Sequence, residues 1–140
     1  MESGPVAASA GTPLLRRLGV GEGSRVALIR APDGFDKSLR PLPTRVKLVT
    51  SVRGPQDVVL FFVTRKAELQ RRFPSLARAV APSGGLWIAW PKRTAGVATD
   101  LNEGLVREAG LGGGLVDNRA CAIDDLWSGL RFVYRRSGRG

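Results

Sequence analysis

Apolar residues occur along the chain in short blocks whose spacing changes from strand-like to helix-like. Runs of mainly apolar residues predict buried strands at Arg25–Ile29, Arg45–Val49 and Asp57–Thr64. The third run is apolar on both faces, which is typical of a central parallel strand. In Lys66–Ala81 the apolar side chains instead recur three and four positions apart. This spacing predicts a helix, which Pro74 could divide into two shorter ones.

The second half of the chain continues this alternation and then changes character. A fourth strand is predicted at Leu86–Trp90. A helix is expected to be capped by Thr99–Asp100 and to end near Gly110. Two further strands are predicted at Leu115–Ile123 and Leu130–Arg135, close enough in sequence to pair as an antiparallel hairpin.

The two ends of the chain have little apolar patterning and predict the domain boundaries. Residues 1–11 are rich in Gly, Ala, Ser and Pro, and we expect a disordered tail there. We predict a single α/β domain over residues 12–136 and a second short tail over residues 137–140. A first short helix is expected to start at Thr12 and Pro13 and to stop at Gly19.

Strands that alternate with helices predict a parallel sheet with right-handed crossovers. The segment Val80–Ile88 resembles the L-x-P-G-G-x-L-x-V sequence of class I methyltransferases, and Asp57–Leu60 resembles the entry to their fourth strand. The terminal hairpin is similar to theirs as well. This resemblance implies a three-layer, Rossmann-like α/β sheet of about six strands, mostly parallel, in the order 2-1-3-4-6-5.

The loop after the first strand departs from that family. Class I methyltransferases bind S-adenosylmethionine with a glycine-rich loop at this point, because backbone without side chains can approach the ligand closely. Here the loop Arg30–Phe35 has one glycine, and its proline lacks an N–H donor. The second strand ends in Val49–Ser51, without the acidic residue that holds the ribose in that family. We therefore expect no S-adenosylmethionine-dependent methyltransferase and no cofactor.

Most of the chain also resembles a bacterial family described as a domain of unknown function, found in actinobacteria and their relatives. The resemblance implies membership of that family and no activity. The matching segments are long and irregular, and they are Gly84–Lys92, Thr99–Leu101, Arg107–Leu111, Val116–Asp124 and Trp127–Phe132.

Composition excludes several kinds of chemistry. The 140 residues include one cysteine, Cys121, and no histidine. These counts exclude an intramolecular disulfide, a thiolate metal cluster and catalysis by a Ser-His or Cys-His pair. A metal site would have to consist of carboxylates alone, and no cluster of them is spaced for one, so we expect no metal site. Cys121 is expected to be a buried strand residue. The longest purely apolar run, Val58–Val63, is far shorter than the roughly 20 residues that a membrane helix needs. A cytoplasmic protein without a membrane interaction is predicted.

The formal net charge is +10, which raises the question of a nucleic-acid partner. The basic residues are spread along the chain and no RNA-binding aromatic signature accompanies them, so nucleic-acid binding is not the favoured interpretation. The densest clusters are Arg71–Arg72 and a group near the end formed by Arg131, Arg135, Arg136 and Arg139.

Ligands of open α/β sheets bind beyond the carboxyl ends of the strands. Lys92 is either a cation for an anionic ligand or one half of a salt bridge with Asp124 or Asp125. Trp127 either stacks on a ligand or covers the core. The rule places six candidate ligand-binding residues at this edge, namely Arg30, Asp33, Lys92, Arg93, Asp124 and Trp127.

These patterns favour a non-catalytic Rossmann-like domain, a monomer or homodimer, that binds a protein partner or a small anionic ligand. The alternatives are an enzyme with an unrecognised mechanism and weak nucleic-acid association through the arginines. No motif in the sequence identifies a reaction.

Overall fold

The structure, a computed structural model, describes residues 13–135. The expected tails at 1–11 and 137–140, and Thr12 as a helix cap, lie outside the described residues. Three α-helices and six strands form in the described part, together with 3-10 helices at Phe35–Leu39 and Arg93–Ala95. Their bounds are α1 (Leu14–Leu18), β1 (Arg25–Ile29), β2 (Lys47–Val49), β3 (Gln56–Phe62), α2 (Lys66–Ala79), β4 (Val80–Pro91), α3 (Glu103–Gly112), β5 (Leu115–Ala122) and β6 (Trp127–Tyr134).

The six strands form one sheet in the order β2-β1-β3-β4-β6-β5. Strands β2, β1, β3 and β4 are parallel to one another, and β6 runs antiparallel to both β4 and β5. The predicted fold class is therefore confirmed, including the strand order and the terminal hairpin. This order leaves the carboxyl ends of the four parallel strands at one edge of the sheet.

Alternate side chains of the central strands point into two separate cores, one on each face of the sheet. On one face, α2 and α3 cover a core that includes Phe61, Trp90 and Phe132. On the other face, α1 and the 3-10 helix Phe35–Leu39 cover a core around Trp87. Trp87 and Trp90 are three positions apart, so a strand places them on opposite faces, as their two cores show.

Two strands begin three or more residues earlier than the pattern predicts. β4 starts at Val80, directly after α2, and its first residues pass through an irregular register between Gln56 and Val58 of β3. β6 starts at Trp127, which pairs with Pro91 of β4 rather than lying in the connection between β5 and β6. The first residue of each of these strands is determined by hydrogen bonding to a neighbouring strand. The hydrophobic pattern of one strand alone therefore does not predict it.

The helix caps also differ from the expected ones. Asn102 caps α3, and its side chain accepts a hydrogen bond from the backbone N–H of Leu105 at 2.9 Å. Asp100 instead accepts the backbone N–H of Lys66 at 2.7 Å, which fixes the start of α2. α2 is continuous through Pro74, so the predicted division into two helices is wrong. No helix within residues 13–135 combines the length and the apolar character needed to span a bilayer.

Candidate functional site

A pocket of about 570 Å³ lies at the carboxyl ends of β1 and β2. Its walls combine apolar side chains, two carboxylates, two guanidinium groups and one hydroxyl. The residues that line it are Leu28, Arg30, Ala31, Pro32, Asp33, Gly34, Asp36, Arg40, Leu48 and Thr50. We call it the β1–β2 pocket. In open α/β sheets this is the edge at which ligands bind.

The conformation of the loop after β1 is fixed by a buried aromatic contact and by its backbone turns. Phe35 is buried, and its ring meets the edge of Phe62 with centroids 4.8 Å apart. The backbone turns through left-handed conformations at Arg30, with φ of 60°, and Gly34, with φ of 81°. Within the described residues, the N–H groups of Asp33 and Gly34 donate to no backbone carbonyl. These two donors are therefore left for a ligand or for water.

Arg30 and Asp33, two of the six predicted site residues, lie together in this pocket. The guanidinium of Arg30 also pairs with Glu68 of α2, with Nε 3.3 Å from Oε2. Since the Arg30 side chain is 59% exposed, this ion pair contributes little to stability, but it offsets the positive charge near the pocket. Asp36 is paired in turn with Arg40, with Oδ2 3.9 Å from Nη2. Asp33 forms no salt bridge within residues 13–135, so its carboxylate is the charge most available to a ligand.

Lys92 and Arg93 line a second cleft, of about 490 Å³, where β4 ends beside the start of β6. Lys92 and Arg93 form no salt bridge with any acidic residue in the described range, so the expected pairing of Lys92 with Asp124 or Asp125 is not present. The backbone N–H of Lys92 donates to the carbonyl of Leu126 at 2.8 Å. We call this the β4 cleft; Asp100 and Glu103 also line it, so its charge is mixed.

Asp124 and Trp127 lie in the turn that leads into β6. The Asp124 carboxylate accepts hydrogen bonds from the backbone N–H groups of Leu126 and Trp127, at 2.8 and 2.9 Å. Trp127 is half-buried and meets Phe62 edge to face, with centroids 5.0 Å apart. These contacts give Asp124 a role in closing the turn and Trp127 a role in covering the core.

The structure thus places the six predicted residues in three groups along one edge of the sheet. Their roles in ligand binding stay predictions. Sequence reasoning did not select Leu28, Leu48 or Thr50 as pocket residues, because their position depends on β2 pairing beside β1. Asp36 was missed for a similar reason, since its 3-10 helix is too short to have a clear periodic signal.

Comparison with known proteins shows likeness in structure only. No protein-family model matches the chain, and no curated protein matches it. A structure of a SAM-dependent methyltransferase from Aquifex aeolicus superposes with a TM-score of 0.63 at 16% identity, over 85% of this chain and 86% of that one. Magnesium protoporphyrin IX methyltransferase from Synechocystis PCC 6803, solved with bound SAH, gives 0.60 at 10% identity, over 91% and 81%. The pyocyanin biosynthetic protein PhzM gives 0.64 at 12% identity, over 94% of this chain and 59% of PhzM.

These neighbours correct one prediction. The sequence patterns favour a protein that is not an enzyme. They also predict no S-adenosylmethionine-dependent methyltransferase, because the loop Arg30–Phe35 is poor in glycine. The comparison contradicts that interpretation, because the fold is one that solved enzymes of this class share. A missing glycine pattern at one loop is a local departure, whereas the strand order and crossovers involve the whole described chain.

Proposed function

We propose that this protein is an enzyme that binds S-adenosylmethionine in the β1–β2 pocket and transfers its methyl group. The observation that carries the proposal is the position of that pocket, at the end of the first strand of a sheet in the order 2-1-3-4-6-5. S-adenosylmethionine-dependent methyl transfer is named for structural neighbours of this sheet, and one of them holds SAH.

The residues of the β1–β2 pocket fit such a cofactor in size and chemistry. A volume of about 570 Å³ lies in the range of small-molecule sites. Leu28 and Leu48 provide apolar surface for a purine ring, and Asp33 and Asp36 provide negative charge for a cationic ligand. Thr50, at the end of β2, provides a hydroxyl where the family has an acidic residue. The loop has fewer backbone donors than a glycine-rich one, so we expect modest affinity.

The chemistry supplied by bound S-adenosylmethionine is an electrophilic methyl group on positively charged sulfur. Asp33 and Asp36 hold negative charge at the pocket, and the N–H groups of Asp33 and Gly34 are available to a carboxylate. Lys92 and Arg93 lie along the same edge, beyond β3, in the β4 cleft. The two carboxylates of this cleft have other partners, since Asp100 accepts the backbone N–H of Lys66 and Glu103 pairs with Arg107. An anionic methyl acceptor is the substrate class that these two cations favour.

The test is calorimetric titration of the full chain with S-adenosylmethionine and with S-adenosylhomocysteine. We expect saturable binding of both, and Asp33→Asn should weaken binding of the cationic methyl donor about tenfold by removing a carboxylate partner. Because S-adenosylhomocysteine lacks the sulfonium charge, its affinity should fall less in the same variant.

Glu108→Gln is the matched control, because it removes one negative charge from an exposed position on α3, away from the β1–β2 pocket. It should bind both ligands as the unmodified protein does. An unmodified chain that stays folded and gives no binding heat with either ligand at millimolar concentration contradicts the proposal. Equal losses in Asp33→Asn and Glu108→Gln would contradict the placement of the ligand.

A further inference from the structure

A third pocket lies at the opposite end of the sheet and is rich in arginine. It measures about 660 Å³, and the lining residues that matter here are Ser83, Asn118, Arg131 and Arg135. Arg131 is on β6, directly opposite Arg119 of β5. We call this the β5–β6 pocket. It shares no lining residue with the β1–β2 pocket or the β4 cleft.

The guanidinium of Arg131 is partly buried, and only some of its N–H groups have hydrogen-bond acceptors. Its Nε is buried and has no hydrogen-bond partner within the described chain. Nη1 makes one long hydrogen bond, 3.4 Å, to Oδ1 of Asn118. Burial, and secondarily the charge of Arg119, lower the pKa of Arg131 from its ordinary value. A buried donor without an acceptor is costly, and a buried charge without a counterion is more so.

The surrounding chain makes room for this guanidinium. A Cβ atom at Gly85 would overlap Nε of Arg131, so the lack of a side chain at Gly85 gives the guanidinium its space. Gly85 pairs with Val58 of β3 in the interior of the sheet, so the position is fixed by the ladder. The orientation of Arg131 is therefore built into the packing of β4 against β6.

Carboxylates do not offset these charges. Within residues 13–135, no acidic side chain forms a salt bridge with Arg119, Arg131 or Arg135. Arg119 instead donates from Nη1 to the backbone carbonyl of Arg17, at 3.3 Å. Nε and Nη1 of Arg17 are also buried without a partner in this part of the chain. Guanidinium donors without acceptors therefore occur both at Arg131, in the β5–β6 pocket, and at Arg17, which lies outside the pocket lining.

We propose that the β5–β6 pocket binds the phosphate group of a small molecule. The guanidinium of Arg131 would supply the main charged donor, Arg119 and Arg135 would add positive charge, and Ser83 and Asn118 would supply neutral donors. Planar guanidinium groups match the oxygen spacing of phosphate, and such charge-assisted hydrogen bonds are stronger than neutral ones. A bound phosphate would offset the positive charge of Arg131, which has no carboxylate partner within residues 13–135.

The pocket suits a small ligand better than a nucleic-acid strand. Proteins that bind single-stranded nucleic acids combine a positively charged groove with aromatic side chains on which bases stack. The one aromatic residue that lines the β5–β6 pocket is Tyr134, and its hydroxyl already donates to the carbonyl of Ala77. This hydrogen bond ties Tyr134 to the end of α2, so its ring is not free to reorient toward a base.

The test compares thermal unfolding of the full chain in inorganic phosphate and in sodium chloride of equal ionic strength. A ligand that binds only the folded state raises the unfolding temperature by mass action. We expect phosphate to raise it and chloride to leave it unchanged. Arg131→Met should abolish the response to phosphate, and in the absence of phosphate it should unfold no lower than the unmodified protein. Arg71→Met, at an exposed position on α2, is the control that loses equal charge and keeps the response.

Arg119→Gln gives a second readout at an exposed position, where folding should not change. It should lower phosphate affinity about threefold in calorimetry, because Arg119 adds positive charge beside Arg131 but does not line the pocket. The proposal is overturned if phosphate acts no differently from chloride, or if Arg131→Met responds as the unmodified protein does.

Two further ligands identify the source of the phosphate. Tighter binding of glycerol 3-phosphate than of inorganic phosphate supports an organic phosphomonoester, and the reverse order supports the free ion. The second further ligand is a short single-stranded oligonucleotide. If it binds more tightly than either, with affinity that falls steeply with salt and depends on Arg131, the small-ligand proposal is wrong and a nucleic acid is the partner.

Discussion

At the scale of single residues, Cys121 shows how burial and nearby positive charges shift the pKa of one thiol in opposite directions. Its side chain is half-buried on β5, not fully buried as the sequence predicts. Burial raises the pKa of the thiol, while the positive charges of Arg17 and Arg119 lower it by less. Desolvation is therefore the larger effect, and the thiol form is favoured in the folded protein.

This shift predicts a dependence of stability on pH. In the unfolded chain the thiol has its ordinary pKa, so it ionises at lower pH than in the folded chain. The stabilising contribution is complete below that ordinary pKa and is lost as pH rises from about 8.5 through the folded-state pKa. The free energy of unfolding of the unmodified protein should therefore fall in this range more steeply than that of Cys121→Ser. Urea unfolding at a series of pH values measures both, and parallel curves would contradict the prediction.

Asp124 shows what a single residue can and cannot indicate. From the sequence, an acidic residue at the ligand-binding edge of the sheet is a candidate for binding. In the structure its carboxylate accepts two backbone N–H groups of its own turn. Asp is common in such turns for this reason. The sequence did not indicate this role, because it depends on which way the following residues fold back.

At the scale of elements, two glycines of α3 differ in what surrounds them. A Cβ atom at Gly110 would overlap the ring of Phe132 on β6, so the glycine lets the helix approach the sheet closely. A Cβ atom at Gly112 would have no neighbour within 4 Å. Phe132 in turn meets Phe73 of α2 edge to face, with centroids 5.6 Å apart. Gly110 thus helps to set the distance between a helix and the core.

Opposite effects follow for the two alanine variants. Gly110→Ala should lower the free energy of unfolding by about 1–3 kcal/mol, because the new methyl group overpacks the core. Gly112→Ala should raise it by up to about 1 kcal/mol, because alanine restricts the unfolded chain and favours the helix. Denaturant titrations of both variants provide the measurement. Equal changes of the same sign would show that helix propensity and not the contact with Phe132 decides the outcome.

The predicted elements agree with the structure where the pattern is long and periodic. β1 has the predicted bounds, and α2 and β5 start at the predicted residues. β4 begins six residues before the predicted Leu86, because Val80 pairs with Gln56 of β3 and the register then shifts before Gly85 pairs with Val58. Hydrophobic periodicity records burial, so it misses a strand start that is interrupted by exposed residues such as Pro82 and Ser83.

At the scale of the whole molecule, the two proposed binding sites lie at opposite ends of one sheet. The β1–β2 pocket lies at the carboxyl ends of the parallel strands, and the β5–β6 pocket lies beside the start of β4. Between them the central strands β3 and β4 are buried and closely paired. A rigid sheet without a shared lining residue gives no route for direct competition between the two ligands.

The two sites should therefore act independently. Arg131→Met should leave the affinity for S-adenosylhomocysteine unchanged, and Asp33→Asn should leave the effect of phosphate on unfolding unchanged. Mutations at separated sites without shared partners are expected to be additive. Calorimetry of each variant with each ligand tests this in four titrations. A loss of both activities in either single variant would show that the sites are coupled or that the fold is damaged.

The sequence by itself determined the α/β class, the single sheet and the edge at which ligands would bind, because these follow from which segments are apolar and at what spacing. Absence of histidine and the single cysteine also limited the chemistry without any structure. Tertiary structure alone decided that Leu48 and Thr50 meet Asp33 around one pocket, and that Nε of Arg131 is buried without an acceptor within residues 13–135. Both depend on which strands pair and in what register, and contacts between residues distant in sequence are set by the packing of the whole chain.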